Sequence, residues 1–235
     1  MWAVYRKELR SYFYSPIAYV LIGLFILLTS IFFFLGNLAS RVADFSGIVG
    51  TMGFILVFII PVLTMRILAE DRKNGTEVLL LTSPSRLSGI VIGKFLAAFT
   101  VFLILTVLTF VYPVIIVLLG GKITAQLVGS YIGFILLGAS FISVGVFASS
   151  ITENQVVAVI VGFVSLLVMW IIDSLAGFIG GFAGKVLSWF SLLSRYEDFN
   201  KGILSLSPIV YYISFTAVFI FITIQMIEKR RWSQG

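Results

Sequence analysis

The sequence has no cysteine and no histidine among its 235 residues, and only 11% of those residues are charged. The missing cysteine excludes disulfides and thiolate metal sites, and the missing histidine excludes imidazole ligands and histidine-dependent acid–base catalysis. An intramembrane enzyme is therefore a poor alternative. Turnover of a substrate by the purified chain without a partner would be evidence for such an enzyme. What the sequence does contain is apolar residues, which make up 60% of it.

This composition is typical of a membrane protein. The mean hydropathy is +1.14, and the charged fraction lies far below the roughly 25% of globular domains. Six continuous apolar runs are each long enough for a transmembrane helix, which needs about 20 residues. Because the runs lack the alternation of a membrane β-barrel, the sequence predicts an all-α membrane protein. The six predicted spans are residues 17–36, 49–68, 90–119, 127–149, 156–172 and 209–227.

A single membrane domain accounts for residues 1–235: an interfacial helix at 1–16, a six-span core at 17–227 and a tail at 228–235. The N-terminus differs from a cleaved signal peptide, because the first apolar run continues for about 20 residues and no small-residue cleavage site follows it. The first span is therefore expected to remain in the mature protein.

Six spans place both termini on one side, and the distribution of lysine and arginine indicates which side this is. The N-terminal segment, the loop after span two and the C-terminal tail carry 3, 5 and 3 basic residues, against 5 on the opposite side. Cytoplasmic loops are enriched in these residues, so both termini are predicted to lie in the cytoplasm and the protein in the cytoplasmic (inner) membrane. The net charge of +6 then reflects orientation, and nucleic-acid binding is not expected.

Two features inside the spans have more than one interpretation. Pro61 and Pro113 are predicted to kink spans two and three, because each lacks an amide donor and clashes with the preceding turn. These kinks serve either packing or gating. Span four is rich in small residues that permit close helix contact, either within the chain or between two copies. These residues are Gly129, Gly133, Gly138, Ser140, Ser143 and Gly145.

The segment between spans five and six, residues 173–208, is too long for a turn and too polar for another span. Two short outer helices are expected here, of which the first is apolar and either re-entrant or lying on the membrane. The alternative is that span five extends beyond Asp173 before a loop begins.

The N-terminal segment is predicted to form an amphipathic helix that contacts membrane lipid. Apolar residues recur at steps of three and four and charged residues cover the other side, which is typical of a helix in the membrane interface. A basic anchor that only fixes topology is the alternative. The apolar set is Trp2, Tyr5, Leu9, Tyr12 and Phe13, and the charged set is Arg6, Lys7, Glu8 and Arg10.

A polar segment at residues 66–84 interrupts the apolar pattern and is the strongest indication of function. Its first part, with Glu70 and Asp71, continues span two into water. Asn74 and Gly75 are predicted to end this helix, because glycine tolerates the left-handed backbone of a helix C-terminus.

The second part of the polar segment is predicted to be a short helix. Thr76 is its expected N-cap, and Glu77 lies in its first turn, where an acidic residue is favourable. A short helix that exposes leucines to water usually binds a partner, here a protein with a groove. Lys94, in the following span, is expected to reach back to the surface. The apolar residues of this helix are Val78, Leu79, Leu80 and Leu81, and the residues that end it are Thr82, Ser83 and Pro84.

Together these segments resemble the permease subunits of ABC-2-type ABC transporters, and most closely the gliding-motility GldF-like and NosY-like branch. The resemblance rests on the polar segment Arg66-x-Leu-Ala-Glu-Asp-Arg-Lys-Asn-Gly-Thr-Glu-x-Leu-Leu-x-Thr-Ser-Pro84, followed by Ile-Val-Ile-Gly-Lys-Phe-Leu-Ala97. A Tyr-Arg-Lys-Glu-Leu start, six spans and the motif Tyr196-Glu-Asp-Phe-x-x-Gly202 extend it over nearly the whole chain.

The resemblance implies a non-catalytic export permease, and the chain indeed lacks the Gly-x-x-x-x-Gly-Lys-Ser/Thr loop that binds nucleotide phosphates. It implies a permease homodimer with two ATP-binding subunits, which bind ATP and magnesium, so no cofactor or metal is expected in this chain. An accessory membrane or extracytoplasmic protein is a further expected partner. Charged residues are nearly absent from the spans, which favours a lipid-like, amphipathic or polypeptide substrate.

In the family that the chain resembles, a coupling helix after span two docks into a cleft on the ATP-binding subunit. Carried onto this chain, it is residues 76–81, with Glu70 and Asp71 as flanking polar contacts. The turn that contains Glu153 matches a second, smaller coupling element, and residues 2–14 match a connecting helix that lies against the same subunit. The alternative function is a membrane anchor that recruits an ATPase for mechanical or signalling work without moving a solute.

Overall fold

A computed structural model describes residues 1–42, 44–76, 86–181, 191–200, 202 and 205–233 of the chain. The structure is 87% helical and has no strand in these ranges. Six helices are long and apolar enough to cross a membrane, which confirms the predicted six-span architecture. The spans are Pro16–Ala39, Ser46–Lys73, Leu87–Leu118, Ala125–Ile151, Gln155–Ile172 and Leu206–Arg230.

The described helices are numbered here in chain order. Helix α1 precedes the first span, α9 lies between spans five and six, and spans two and three each consist of two consecutive helices. The helices are α1 Trp2–Tyr14, α2 Pro16–Phe33 with a π-helical extension at Phe34–Ala39, α3 Ser46–Thr64, α4 Arg66–Lys73, α5 Leu87–Leu108, α6 Val111–Leu118, α7 Ala125–Ile151, α8 Gln155–Ile179, α9 Leu192–Asn200 and α10 Leu206–Ser233.

The fourth span, α7, is the centre of the bundle and packs against α3, α5, α8, α9 and α10. Its glycines allow neighbouring side chains to approach the backbone. A β-carbon at Gly145 would lie 2.2 Å from Thr64 Oγ1, and one at Gly138 would lie 2.2 Å from the Phe102 ring. These two glycines therefore serve packing within the chain, one of the two uses that the sequence left open.

Span three is broken close to its proline, in agreement with the predicted kink. A turn at residues 109–110 separates α5 from α6, and Pro113 lies in the first turn of α6, where a missing amide donor is tolerated. The carbonyl of Thr109, which Pro113 cannot bond, accepts hydrogen bonds from the amide of Tyr112 at 3.1 Å and the hydroxyl of Tyr131 at 3.3 Å.

Span two is interrupted at Met65, four residues after Pro61. Ser149 of α7 bridges the interruption: its hydroxyl oxygen accepts hydrogen bonds from the amides of Leu68 and Ala69 at 3.0 Å each, and its hydroxyl donates to the Met65 carbonyl at 3.0 Å. The start of α4 is thus attached to the central span, because one hydroxyl satisfies amides that the helix itself leaves without acceptors.

The segment after span five begins with an extension of that span. Helix α8 continues through residue 173 to Ile179, as the alternative of a fifth span that extends beyond Asp173 predicts. The first residues of the apolar run that suggested a re-entrant helix are therefore the end of α8, since a single polar residue does not end a helix. Gly180 and Gly181, each with φ of +62°, end it instead. Residues 182–190, where the re-entrant prediction continues, lie outside the described residues.

The second outer helix, α9, is present and is anchored by aromatic residues of the Tyr196 motif. The Tyr196 hydroxyl donates a hydrogen bond to the Val49 carbonyl at 2.8 Å. Phe199 is fully buried and packs so closely on α7 that a β-carbon at Gly133 would lie 2.7 Å from it. The motif therefore attaches the outer helix to spans two and four.

The close approach at Gly145 gives a first prediction. The substitution Gly145→Ala places a β-carbon against both the hydroxyl and the β-carbon of Thr64, which side-chain rotation cannot relieve together. We expect the free energy of unfolding in detergent to fall by about 1–3 kcal/mol, as for other overpacked cores. The control is Gly23→Ala, where no atom lies within 4 Å of the new β-carbon. Equal melting temperatures for both variants would contradict this packing.

Candidate functional site

The N-terminal helix begins at Trp2 and ends at Tyr14, as predicted, and packs against α2 and α5. Tyr5, Leu9 and Tyr12 lie on its inner side against the apolar core. The Tyr12 hydroxyl donates a hydrogen bond to the Leu63 carbonyl at 2.8 Å. Burial raises the pKa of Tyr12, so the hydroxyl keeps the proton that it donates.

One residue of α1, Glu8, lies on the opposite side from the one predicted. Trp2, assigned to the apolar side, stacks on the Tyr5 ring with centroids 5.1 Å apart, although it is 68% exposed at the start of the helix. Glu8, assigned to the charged side with Arg6 and Lys7, turns inward, and its side chain is only 15% exposed. Helix geometry explains the position of Glu8, because residues three and four apart lie on the same side and Glu8 stands between Tyr5 and Tyr12.

The partner of Glu8 is Lys94 on α5, which is 1% exposed. Its ammonium nitrogen lies 2.6 Å from Glu8 Oε1 and 2.6 Å from Asp71 Oδ2, and it donates a hydrogen bond to the Ile67 carbonyl at 2.6 Å. The ammonium thus donates hydrogen bonds to Glu8 and to the Ile67 carbonyl and forms an ion pair with Asp71. We call Glu8, Asp71 and Lys94 the Lys94 cluster. The expectation that Lys94 reaches the surface is wrong, because these acceptors hold it inside.

The Lys94 cluster is connected to the start of the predicted coupling helix. Asp71 Oδ1 accepts a hydrogen bond from the Thr76 hydroxyl at 2.9 Å, and the Asp71 carbonyl accepts one at 3.2 Å. Between them, Gly75 adopts a φ of +68°, which confirms the predicted left-handed end of the preceding helix. The remaining residues of this predicted site, Glu77, Val78, Leu80, Leu81, Thr82, Ser83 and Pro84, lie outside the described residues.

Glu70 lies beside the Lys94 cluster but binds a different cation. Its carboxylate accepts hydrogen bonds from Arg66 Nε at 2.7 Å and Nη2 at 3.1 Å, one turn earlier on α4. Arg66 Nη1 in turn donates to the Ser15 hydroxyl at 3.0 Å, at the junction of α1 and α2. Both acidic residues that were predicted to flank the coupling helix therefore make bonds within the chain, which connect α4 to the N-terminal segment.

The turn between α7 and α8, which was predicted as a second coupling element, is also attached to α4. Glu153 Oε1 lies 2.6 Å from Arg72 Nη2, and the Ile151 carbonyl accepts a hydrogen bond from Arg72 Nη1 at 3.2 Å. Arg230 of α10 donates to the same carbonyl at 3.4 Å. The structure thus brings Glu153 to the same end of the bundle as Glu70, Asp71 and Thr76.

These contacts connect α1, α4 and α5 at one end of the bundle. Residues 77–85 join α4 to α5, and the Lys94 cluster attaches these two helices to each other and to α1. Spans two and three and α1 are therefore held to one another at this end of the bundle. The sequence analysis did not predict this cluster, although two features of the sequence indicate it. A lysine within an apolar run requires a buried partner. Glu8 lies on the same side of its helix as Tyr5.

The sequence of the chain matches that of a known protein family. A family model with the description "ABC-2 family transporter protein" matches residues 2–227, which include α1 and both polar turns. No curated protein shows a significant match to the chain.

The Lys94 cluster gives a second prediction. The substitution Lys94→Met leaves the Glu8 and Asp71 carboxylates buried without a cation, and removing one partner of a buried ion pair costs about 3–5 kcal/mol. We expect a fall in thermal stability of that order in detergent. Adding Glu8→Gln and Asp71→Asn should restore most of it, because neutral amides no longer need the ammonium.

The matched control is Lys73→Met, which removes an exposed lysine from the same end of the bundle and should leave stability within about 0.5 kcal/mol. A loss of stability no greater for Lys94→Met than for Lys73→Met would show that the cluster does not hold these helices together.

Proposed function

This chain belongs to the ABC-2 family of transporter proteins, and we propose that it is the transmembrane permease subunit of an ATP-driven exporter. In this proposal a separate subunit binds and hydrolyses ATP with magnesium, and two copies of it act on a permease homodimer. The complex lies in the cytoplasmic membrane with both permease termini in the cytoplasm. Within the family, we place the chain in the GldF-like and NosY-like branch, on the residues of its polar segment.

One observation supports this proposal most directly: the Lys94 cluster attaches the helices before and after the segment at 77–85 to each other. Asp71 holds Thr76 just before this segment, and Lys94 holds Asp71 from the helix that follows it. The Arg72–Glu153 ion pair adds the turn between α7 and α8 to the same unit. An ATPase that moved this surface would therefore move several spans at once.

The energetics favour movement of these elements as one body. Separating α4 from α5 would leave buried charges unpaired at a cost of about 3–5 kcal/mol, whereas an exposed ion pair contributes only about 0.2–1 kcal/mol. A nucleotide shifts a conformational equilibrium only by its differential affinity for the two states. We infer that ATP binds the closed arrangement of the two ATPases better and that α4 and α5 transmit this closure to the membrane.

The substrate class follows from the lack of charge inside the bundle. Among the described residues, Lys94 is the only charged residue with a buried side chain in the core, and the cluster neutralises it near the end that carries the termini. Intramembrane charges usually mark ion or solute pathways. We therefore propose a lipid-like, amphipathic or polypeptide substrate, delivered or received by an accessory membrane or extracytoplasmic protein.

Reconstitution distinguishes transport from the alternative of a membrane anchor for an ATPase. The chain is co-reconstituted in liposomes with the ATP-binding subunit, and ATP hydrolysis is measured with and without candidate lipids or polypeptides. Transport predicts that hydrolysis is stimulated by a substrate and that this substrate crosses the bilayer. Hydrolysis that depends on the permease, while no cargo moves, would favour the anchor.

A third prediction concerns the docking of the ATPase. The double substitution Leu80→Asp and Leu81→Asp should abolish co-purification of the ATP-binding subunit, because docking would bury two unpaired carboxylates. Membrane insertion should be unchanged. The control is Leu118→Asp with Leu119→Asp, an exposed leucine pair at the opposite end of the bundle. Normal co-purification of the Leu80 and Leu81 variant would remove this segment from the docking site.

A fourth prediction separates coupling from assembly. Glu153→Gln removes the exposed ion pair with Arg72, whose contribution of at most about 1 kcal/mol corresponds to at most about fivefold in an equilibrium. We expect normal binding of the ATPase and a two- to fivefold loss, on the order of that limit, in substrate-stimulated hydrolysis. Glu228→Gln on α10 serves as the control. Full stimulation in Glu153→Gln would exclude the turn between α7 and α8 as a coupling element.

A further inference from the structure

The outward face of α1 is a basic and aromatic surface. Trp2, Arg6, Arg10 and Tyr14 follow one another at intervals of four residues, so they form a single row along the helix, and Lys7 lies beside this row. All five side chains are exposed; Trp2 is 68% and Tyr14 87% accessible. We use the term outward face of α1 for these five residues.

This face carries uncompensated positive charge because of the way the helix packs. Glu8 is the only acidic residue of α1, and it lies on the inner side, where it pairs with Lys94. Within the described part of the chain, Arg6, Lys7 and Arg10 form no ion pair. Three cations therefore share one surface without an acidic residue among them, which the linear sequence, with Glu8 between Lys7 and Arg10, does not show.

The position of α1, directly before the first span, favours contact of this face with lipid headgroups. The helix ends at Tyr14, and the first span begins at Pro16, so only Ser15 separates the outward face from a membrane-crossing helix. Tryptophan and tyrosine prefer the interface between hydrocarbon and water, and the two exposed aromatic residues stand at the two ends of the arginine row. A purely protein-facing surface does not require aromatic residues in that arrangement.

We propose that anionic phospholipid headgroups bind the outward face of α1. Arg6 and Arg10 bind lipid phosphates, since a guanidinium can donate two parallel hydrogen bonds to a phosphate. Lys7 adds a point charge, and Trp2 and Tyr14 lie among the headgroups. The bound lipids belong to the leaflet on the side of the termini. This site is independent of the ATPase, and the other occupant that such a surface could take, an acidic protein, becomes an outcome of the test.

The test uses the full-length chain without an ATPase. The chain is purified in detergent and equilibrated with equal amounts of phosphatidylglycerol and phosphatidylcholine of identical acyl chains, and bound lipids are counted by native mass spectrometry. The wild-type chain should retain phosphatidylglycerol preferentially. The variant Arg6→Gln with Arg10→Gln should lose this preference by about fivefold for each cation removed, with unchanged phosphatidylcholine binding and an unchanged melting temperature.

The matched control is Lys73→Gln with Arg86→Gln, which removes two exposed cations from the same end of the bundle but not from α1. An equal loss of preference in this control would mean that only net charge matters, and that would overturn the site. Retained preference in the arginine variant would overturn it as well. In a separate co-purification with the ATP-binding subunit, retained lipid preference together with lost subunit binding in the arginine variant would assign the face to a protein partner and overturn the lipid site. Failure of the export proposal leaves the lipid measurement unaffected.

Discussion

A single buried ammonium holds together the end of this bundle that carries the termini. Lys94 is removed from water, which is costly for an isolated charge. Its contacts with two carboxylates and a backbone carbonyl on α1 and α4 offset this cost. Glu8 lies 86 positions away in the chain. Because each acceptor comes from a helix other than its own, none of the three helices can move away without exposing a charge to an apolar surrounding.

The rest of the bundle relies on close packing of small residues against a central span. Gly138 and Gly145 let Phe102 and Thr64 approach the α7 backbone, and the Ser149 hydroxyl bonds the interrupted backbone of span two. In a membrane, helices gain little from the hydrophobic effect, so such contacts and hydrogen bonds set their arrangement. The chain belongs to the ABC-2 family of transporter proteins, and the same kind of contact connects its polar turns to the spans.

Long apolar segments, and helix ends and turns that depend on a few adjacent residues, were predictable from the sequence. The six spans, the limits of α1 and the left-handed turn at Gly75 depend on composition and on neighbouring residues only. The side assigned to Glu8 was wrong, since the pattern of residue types along a helix does not show which neighbouring helix packs against it. The extension of α8 to Ile179 was one of two arrangements that the sequence left open, because a single polar residue in an apolar run is compatible with a loop and with a helix.

What the sequence determined by itself is the class of protein: its apolar runs, with backbone bonds satisfied inside each helix, leave no alternative to a helical membrane bundle. The tertiary structure alone decided which charges meet. Lys94 pairs with Glu8 and Asp71, while Arg6, Lys7 and Arg10, on the outer side of α1, form no ion pair with any residue that the structure describes. The physical reason is that an ion pair depends on a distance of a few ångströms, and positions far apart in a chain acquire such distances only when the helices pack.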